Sequence, residues 1–281
     1  MSIESKFKSI FIVGPPRCGT TLLAVLLDRH SRIAVPAETH FFDLFLPGFM
    51  GKNRTSTYEE MVKTALAFKR IAETPLNSND VLKRFKTYRK NWGNLLRAIL
   101  ESYTTSQGKV RPAEKTPRHI YHVPTILKLY PDAKIICIIR DGRDMVRSMM
   151  QVPWGTPNLI GHHCVWWEEA VRLGLKYADN YPYRFRIVKY EDLLSNPVAT
   201  LSSICNFIGE EFENRQLQSF VRSHVVPDRA RRWKGKANLP IDPDRNQAWR
   251  REAGQKEIWA INSKLGRLLQ KMGYEDNDLN G

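Results

Sequence analysis

The stretch Ser9–Leu22, SIFIVGPPRCGTTL, decides the fold that we predict for this chain. Its first part, Ser9–Val13, is apolar enough for a buried strand, and the loop that follows is bounded by Gly14 and Gly19. An apolar helix is expected from Leu22 onward. A strand, a glycine-bounded loop and a helix form a phosphate cradle, because backbone N–H groups and the positive end of the helix converge on the anion.

The spacing from Gly14 to Gly19 matches a Walker A phosphate loop, in which the second glycine is followed by lysine. Thr20 stands at the lysine position, and Arg17 supplies a positive charge from within the loop instead. The missing lysine weakens the hypothesis of an ATP-hydrolysing enzyme or a kinase. A simple Gly-Pro turn between strand and helix is the alternative interpretation, and the Thr20-Thr21 pair and Arg17 count against it.

Strand-like runs alternate with helical periodicity along the chain, which predicts an α/β fold with a mainly parallel sheet. The predicted strands are short and apolar, as expected for strands covered by helices on both faces. They are Ser9–Val13, Ile33–Val35, Val110–Ala113, Lys134–Ile139 and Phe185–Lys189. Apolar positions recur at helical spacing in His119–Tyr130, in Val198–Ile208 and in a last helix that stops at Gly273.

No repeat, low-complexity tract or linker divides the chain, so a single domain is predicted over residues 1–281. Within it, residues 58–103 have the pattern of a helical insertion rich in Lys and Arg. Residues 226–247 combine three prolines with a dense basic stretch, which predicts a loop that becomes ordered on binding.

The composition points to an anionic partner. The 281 residues carry 44 Lys and Arg against 29 Asp and Glu, a net charge of +15, and 42% hydrophobic residues exclude a disordered chain. Four widely separated cysteines lack the spacing of a zinc site, and we expect no metal. Without an apolar run long enough for a signal peptide or a membrane helix, the expectation is a cytoplasmic protein that does not span a membrane.

A second anion site is expected where the strand Lys134–Ile139 ends in the sequence RDGRD. Arg140 lies at the strand end, and Ser148 follows eight residues later on a predicted helix, so both could face one anion. The neighbouring Arg143 and Asp144 are interpreted as a surface ion pair.

A candidate reacting group follows the second predicted strand. Glu38 opens the sequence ETHFF shortly after Ile33–Val35 and Pro36. A carboxylate at the carboxyl end of a strand, near a phosphate loop, lies where α/β enzymes place their reacting groups. An exposed acid that caps a helix is the alternative.

These segments resemble the sulfotransferases that use 3′-phosphoadenosine 5′-phosphosulfate (PAPS). GPPRCGTTL resembles their 5′-phosphosulfate loop, usually GxPRSGTTL, with Cys18 in place of the serine. The segment at Glu38 resembles the ExHFF stretch of heparan sulfate sulfotransferases and the comparable glutamate of tyrosylprotein sulfotransferases. The family also has an arginine and a serine at the offset of Arg140 and Ser148. The resemblance implies a P-loop-like three-layer sandwich, with helices on both sides of the sheet.

The resemblance also implies roles for matching residues. Glu38 would be the base that takes the acceptor's proton, with His40 in the acceptor site and Arg17 and Lys115 at the leaving oxygen. The residues that it assigns to the nucleotide are Arg17, Cys18, Gly19, Thr20, Thr21, Arg140, Ser148, Tyr190, Arg232 and Lys234.

Four of these assignments rest on weaker matches. Lys115, in EKTP, could equally be a solvated loop lysine, and Tyr190, in YEDL, a packing aromatic. Arg232 and Lys234 belong to the cluster RRWKGK, which resembles the late loop that covers the nucleotide and otherwise would be a solvated basic surface. The Trp166-Trp167 pair is expected in the core, although one ring could line an acceptor pocket.

The function predicted from the sequence is therefore transfer of a sulfonate group from PAPS to a hydroxyl or amine of an unidentified acceptor. A small molecule, lipid or glycan in the cytosol is expected as acceptor, and a homodimer is left open. The alternatives are a nucleoside-triphosphate-dependent P-loop kinase and a non-catalytic basic protein that binds nucleic acid. PAPS is multiply anionic and accounts for part of the positive charge, so no nucleic acid is expected.

Overall fold

The computed structural model describes residues 7–49, 56–156, 159–219, 223 and 225–274. The strands within these ranges are β1 Ile10–Val13, β2 Ile33–Ala34, β3 Arg111–Lys115, β4 Lys134–Ile139 and β5 Phe185–Lys189. They form one sheet in the order β2-β3-β1-β4-β5, and all neighbours are parallel. The predicted α/β class with a mainly parallel sheet is confirmed.

The third strand differs from its prediction because charged residues belong to it. It ends at Lys115, two residues later than predicted, and Glu114 and Lys115 are both fully buried. Charges of this kind are typical of loops, and burial is tolerated only where a partner offsets the loss of hydration. Lys115 has Glu38 as its partner, and Glu114 has Thr39, Thr116 and His119.

Helices cover both faces of the sheet. The α-helices are α1 Thr20–Asp28, α2 Leu46–Phe49, α3 Tyr58–Ala67, α4 Ser78–Phe85, α5 Trp92–Ser106, α6 Val123–Leu129, α7 Gly142–Met150, α8 Ile160–Asn180, α9 Tyr190–Ser195, α10 Pro197–Ile208, α11 Arg231–Lys234, α12 Trp249–Glu252 and α13 Gln255–Lys271. Shorter turns are a π turn at Phe41–Phe45 and 3₁₀ turns at Ile71–Glu73, Pro117–His122, Asn214–Leu217, Asp228–Ala230, Gly235–Asn238 and Pro243–Arg245. In the described part of the chain, none of these helices is both long and apolar enough to cross a membrane.

Side chains of a strand alternate between the two faces of the sheet. Phe11 and Val13 of β1 join a core with α5, α6, α7, α8 and α13, whereas Ile10 and Ile12 join a core with α1, α9 and α10. We call these two sides the α8 face and the α1 face.

Two segments have a local structure that the periodicity did not predict. His119–Tyr130, predicted as one helix, is divided between the turn Pro117–His122 and α6, because Pro124 has no N–H to continue the preceding turn. Residues 226–247, predicted as a loop ordered on binding, contain α11 and three 3₁₀ turns. The α3–α5 helices lie between β2 and β3.

The loop after β1 is closed tightly against the neighbouring strand. Gly14 has φ +143°, and a Cβ atom there would lie 2.4 Å from the carbonyl oxygen of Ile138 in β4. Gly14 N donates a hydrogen bond to Pro117 O at 3.2 Å, which ties the loop to the end of β3 as well. The close backbone approach therefore requires glycine at this position.

We expect Gly14→Ala to lower the free energy of unfolding more than Gly108→Ala does. Gly108 also has a positive φ, +66°, but a Cβ atom there would meet nothing within 4 Å. Gly108→Ala therefore tests backbone strain alone, about 1–2 kcal/mol, and Gly14→Ala adds roughly 1–3 kcal/mol of overpacking. Urea unfolding of both variants measures the difference. Equal destabilisation would show that the contact with Ile138 does not constrain the loop.

Candidate active site

The carboxyl ends of the parallel strands open into a cavity of about 850 Å³. The loop after β1, the segment after β2, the end of β4 and the residue after β5 each contribute lining side chains. These include Arg17, Gly19, Thr20, Thr21, Glu38, His40, Arg140, Ser148, Tyr190 and Lys234. Parallel strands bring their carboxyl ends to one edge of the sheet, and this explains why residues far apart in sequence meet here.

Arg17 joins the two anion sites that the sequence predicts separately. Its Nε donates a hydrogen bond to Ser148 Oγ at 3.1 Å. Arg17 has φ +63°, an uncommon conformation for a non-glycine residue, which tends to occur at functional sites. Burial and the nearby Arg140 lower its pKa from the usual value. Two arginines held this close together favour a bound anion between or beside them.

Arg140 lies at the end of β4 with part of its guanidinium unsatisfied. Its Nη2 is 3.1 Å from Asp144 Oδ2 and donates to Arg245 O at 2.8 Å, and the guanidinium lies over the Tyr190 ring at 4.8 Å. Its Nε is buried and has no hydrogen-bond partner among the described residues. An unpartnered buried N–H is costly, and an anionic oxygen would satisfy it. This donor fits a phosphate group.

The interpretation of Arg143 and Asp144 as a surface pair is wrong, since both are buried. Arg143 Nη2 contacts Asp141 Oδ2 at 2.7 Å, and Asp144 Oδ1 accepts from Trp249 N at 2.8 Å. Trp249 Nε1 also donates to Asp141 Oδ2 at 3.1 Å. The RDGRD sequence therefore anchors α12, about a hundred residues later, and no local pattern could reveal this contact.

Glu38 is surrounded by cations. Its Oε1 is 2.5 Å from Lys115 Nζ and 2.6 Å from Lys234 Nζ, and its Oε2 is 3.4 Å from His40 Nε2. Burial alone would raise the pKa of Glu38, but the two ammonium groups and His40 outweigh it and hold the pKa well below its usual value. Glu38 is therefore ionised at neutral pH. Lys115 Nζ also lies 3.4 Å from Thr21 Oγ1, so the pair adjoins the phosphate loop.

His40 connects Glu38 to a second carboxylate. The imidazole Nδ1 lies 3.0 Å from Asp43 Oδ2, and the backbone N–H of His40 donates to Thr116 Oγ1 at 3.2 Å. Burial lowers the pKa of His40, but the carboxylates of Asp43 and Glu38 outweigh it and raise the pKa overall. His40 thus orients Glu38 Oε2 from a backbone position with φ +49°.

Asp43 and Glu114 are site residues that the sequence reasoning missed. Asp43 lies between His40 and His119, and Glu114 accepts from Thr39 Oγ1 at 2.8 Å and Thr116 Oγ1 at 2.6 Å. The available signals were the three-residue offset of Asp43 from His40 and the strand position of Glu114 beside Lys115. No group of three or more His, Cys, Asp or Glu in the described ranges is arranged to hold a metal ion.

The basic cluster of residues 231–236 is divided between the cavity and solvent. Lys234 lines the cavity, where burial and Lys115 lower its pKa to about 8. It contacts Glu38, whereas the sequence reasoning expects it over the 3′-phosphate with Arg232. Arg232 is exposed and does not line the cavity. The backbone of this segment also reaches the site, since Trp233 O accepts from Arg17 Nη2 at 3.2 Å.

Cys18 lies within the phosphate loop, and Tyr190 packs against it. Cys18 is buried, and burial raises the pKa of its thiol, which is therefore neutral. Its side chain is absent from the lining of the cavity, so the loop could hold an anion there only through the Cys18 backbone. The Tyr190 ring packs on the loop so closely that a Cβ atom at Gly19 would lie 2.2 Å from it.

A profile of the sulfotransferase family matches residues 9–214 of the chain. The protein-tyrosine sulfotransferase A of Caenorhabditis elegans is 21% identical over 277 residues, which are 95% of this chain and 67% of that protein. The sulfotransferase domain of a Synechococcus olefin synthase matches 95% of this chain and 98% of its own, with TM-score 0.63 and 20% identity. A mouse sulfotransferase complexed with PAP, adenosine 3′,5′-bisphosphate, matches 96% of this chain and 90% of its own, with TM-score 0.52 and 15% identity. The two structures share the fold.

We expect Glu38→Gln to destabilise the protein by about 3–5 kcal/mol at pH 7, the cost of leaving a buried partner without its counter-charge. Lys115 has no exposed side-chain surface and would lose its carboxylate. The pKa of Glu38 is lower in the folded protein than its usual 4.5, so its contribution is present above that pH and is lost as the pH falls through the folded value. The difference in the free energy of unfolding between Glu38→Gln and the wild type should therefore become smaller below about pH 4.5.

The control is the double variant Glu38→Gln/Lys115→Met, which removes both charges. It should recover part of the lost free energy of unfolding, because an apolar side chain is tolerated where an unpaired ammonium is not. Urea unfolding over a pH series measures all three proteins. A double variant no more stable than Glu38→Gln would contradict the importance of this pair.

Proposed function

The chain belongs to the sulfotransferase family, and on that premise we propose how its cavity transfers a sulfonate group from PAPS to an acceptor hydroxyl. The phosphate loop, residues 14–21, binds the 5′ end of the donor, and Arg140 with Ser148 binds its 3′-phosphate. The observation that carries this proposal is the hydrogen bond from Arg17 to Ser148, since it brings both anion sites within reach of one ligand. The related mouse structure with PAP supports a nucleotide of this kind.

Glu38 is the proposed base. PAPS supplies the sulfonate group and a phosphate leaving group when it is bound. Glu38 accepts the proton of the acceptor hydroxyl, whose oxygen forms the new bond to sulfur while the bond from sulfur to the phosphate oxygen breaks. Arg17, Lys115 and the loop N–H groups stabilise the charge that the departing oxygen gains.

The contacts of Glu38 suggest how its basicity depends on the donor. A carboxylate whose pKa is far below its usual value is a weak base, and both lysines hold Glu38 in that state. Lys115 also adjoins Thr21 of the phosphate loop. Each lysine that turns from Glu38 toward an anionic donor raises the pKa of Glu38 toward its usual range. We propose that donor binding strengthens the base in this way, while His40 keeps its orientation.

A cytoplasmic location and a single domain over residues 1–281 are part of the proposal. All four cysteines, Cys18, Cys137, Cys164 and Cys205, are buried with free thiols, which is typical of a reducing compartment. Helix α5 contacts β2 and β3, α4 packs on α5, and α3 packs on α4. The segment 228–245 contacts α1 and α9. These contacts support a helical insertion at about 58–103 rather than a second domain. Arg17, Arg140 and Lys234 line the cavity, which supports an anionic small molecule rather than nucleic acid as partner.

We expect Glu38→Gln to lower kcat for sulfonate transfer by at least about a hundredfold, the effect of removing a general base. The affinity for PAP should not fall, because Glu38 contacts Lys115 and Lys234 and not the anion-site residues Arg17 and Arg140. Glu168→Gln, on α8 beside Arg172, is the matched control with unchanged kcat. Transfer of labelled sulfonate and calorimetric titration with PAP measure the two effects. Retained turnover in Glu38→Gln would exclude Glu38 as the base.

We expect Arg140→Ala to weaken PAP binding roughly tenfold to a hundredfold, the range for hydrogen bonds to a charged group. Arg172→Ala removes the same charge from an exposed position on α8 and should leave the affinity unchanged. Calorimetric titration with PAP at one salt concentration compares them. Equal affinities for the wild type and Arg140→Ala would remove the second anion site from the proposal.

A further inference from the structure

Glu114 is a buried carboxylate that the proposed function does not use. It lies beside Lys115 in β3, and adjacent residues of a strand point to opposite faces of the sheet. Glu114 is paired in register with Phe11, whose side chain lies on the α8 face. Lys115 is paired with Ile12 on the α1 face. The two charged side chains therefore lie on opposite faces of the sheet, close to its carboxyl edge.

The segment that carries Glu38 and His40 lies beyond the ladder of hydrogen bonds between β2 and β3. The last paired residues of that ladder are Ala34 and Pro112. His40 also has φ +49°, a conformation that a non-glycine residue keeps only where its surroundings hold it there. Side chains therefore have to hold this backbone in place of the ladder.

Glu114 supplies acceptors for this backbone. Its Oε1 accepts from Thr39 Oγ1 at 2.8 Å, from Thr39 N at 3.4 Å and from Thr116 Oγ1 at 2.6 Å. Its Oε2 lies 2.9 Å from Nδ1 of His119, a fully buried side chain. Burial alone would raise the pKa of Glu114, but the contacts with His119 and the two threonines outweigh it and lower the pKa. Glu114 is therefore ionised at neutral pH.

The two threonine hydroxyl groups connect Glu114 to the neighbouring peptide groups. Thr116 Oγ1 accepts from His40 N at 3.2 Å, and Thr39 Oγ1 accepts from Phe41 N at 3.3 Å. Each hydroxyl donates its one hydrogen to Glu114, so its lone pairs are left to face these N–H groups. Three consecutive N–H groups, those of residues 39, 40 and 41, thus bond to Glu114 or to a hydroxyl that Glu114 orients.

We propose that Glu114 positions the proposed base, Glu38, and its neighbour His40 through the hydroxyl groups of these two buried threonines. Glu114 does not line the cavity, so it is a positioning residue that acts through Thr39 and Thr116. Thr39 lies between Glu38 and His40 in the chain, and a shift of its backbone moves both. The inference rests on the proposed function, since it concerns the orientation of the proposed base.

Thr39→Val and Thr116→Val each remove one hydroxyl and keep the shape of the side chain. We expect each to lower kcat for transfer of labelled sulfonate from PAPS to phenol roughly tenfold to a hundredfold, the cost of a misplaced reacting group. The affinity for PAP should not change, because neither threonine lines the cavity. Thr39→Ser and Thr116→Ser restore the hydroxyl and should keep kcat close to that of the wild type.

Thr104→Val is the matched control. Thr104 is also buried, and its hydroxyl donates to Leu100 O at 2.7 Å within α5, away from the cavity. Losing this hydrogen bond should lower the free energy of unfolding, as in the other valine variants, but leave kcat unchanged. Urea unfolding of all variants separates a loss of stability from a loss of positioning.

Hydrogen exchange of the backbone supplies a readout that needs no acceptor. The N–H groups of residues 39–41 should exchange faster in Thr39→Val and Thr116→Val, because the hydroxyl groups no longer oppose local opening. Both serine variants and Thr104→Val should exchange there as the wild type does. Hydrogen exchange followed by mass spectrometry measures this segment in the whole protein.

The outcomes separate this inference from the proposed function. Equal exchange at residues 39–41 in the valine variants and the wild type would overturn the inference whatever the turnover, and so would unchanged kcat in both valine variants. Valine and serine variants that lose kcat equally would also overturn it, since the hydroxyl groups would then not be the cause. If the valine variants lose kcat while Glu38→Gln keeps it, the positioning is supported for His40 and the proposed base is contradicted.

Discussion

Lys115 has no exposed side-chain surface, so its ammonium group needs a carboxylate beside it, and Glu38 is that carboxylate. The contact joins the ends of β2 and β3, and Thr21 brings the phosphate loop after β1 to the same lysine. The pair therefore sets the distance between Glu38, the proposed base, and the phosphate loop. Lys115 and Lys234, which contact the same oxygen of Glu38, together hold the pKa of Glu38 low.

The segment from Asp228 to Arg245 covers the site through its backbone as well as through Lys234. Trp233 O accepts from Arg17, and Arg245 O accepts from Arg140, so both arginines of the anion sites bind a carbonyl of this segment. A carbonyl oxygen carries only a partial charge, and a phosphate oxygen is the stronger acceptor for a guanidinium. Arg17 and Arg140 therefore donate to this segment with the same guanidinium groups that are proposed to bind the nucleotide.

Much of the site could be predicted because its residues follow strand ends in short patterns. Arg140 and Tyr190 directly follow a strand, and Arg17 and Glu38 lie four residues beyond one. Parallel strands end at one edge of the sheet, where all four line the cavity. Buried charged residues are harder to place from a sequence. Glu114 belongs to a strand that the apolar pattern ends at Ala113, and Arg143 and Asp144 are buried. A charged residue is expected at the surface unless its partner is known. Trp249, the partner of Asp144, lies about a hundred residues later in the sequence.

The sequence by itself determined the parallel α/β class, the glycine-bounded phosphate loop and the residues that follow the strands, because apolar periodicity and glycine spacing are local properties. Only the tertiary structure decided which cations surround Glu38, that Arg232 lies outside the cavity while Lys234 lies inside, and that Asp43 stands behind His40. Contacts between distant segments depend on how helices pack on the sheet, and a local pattern carries no information about that packing.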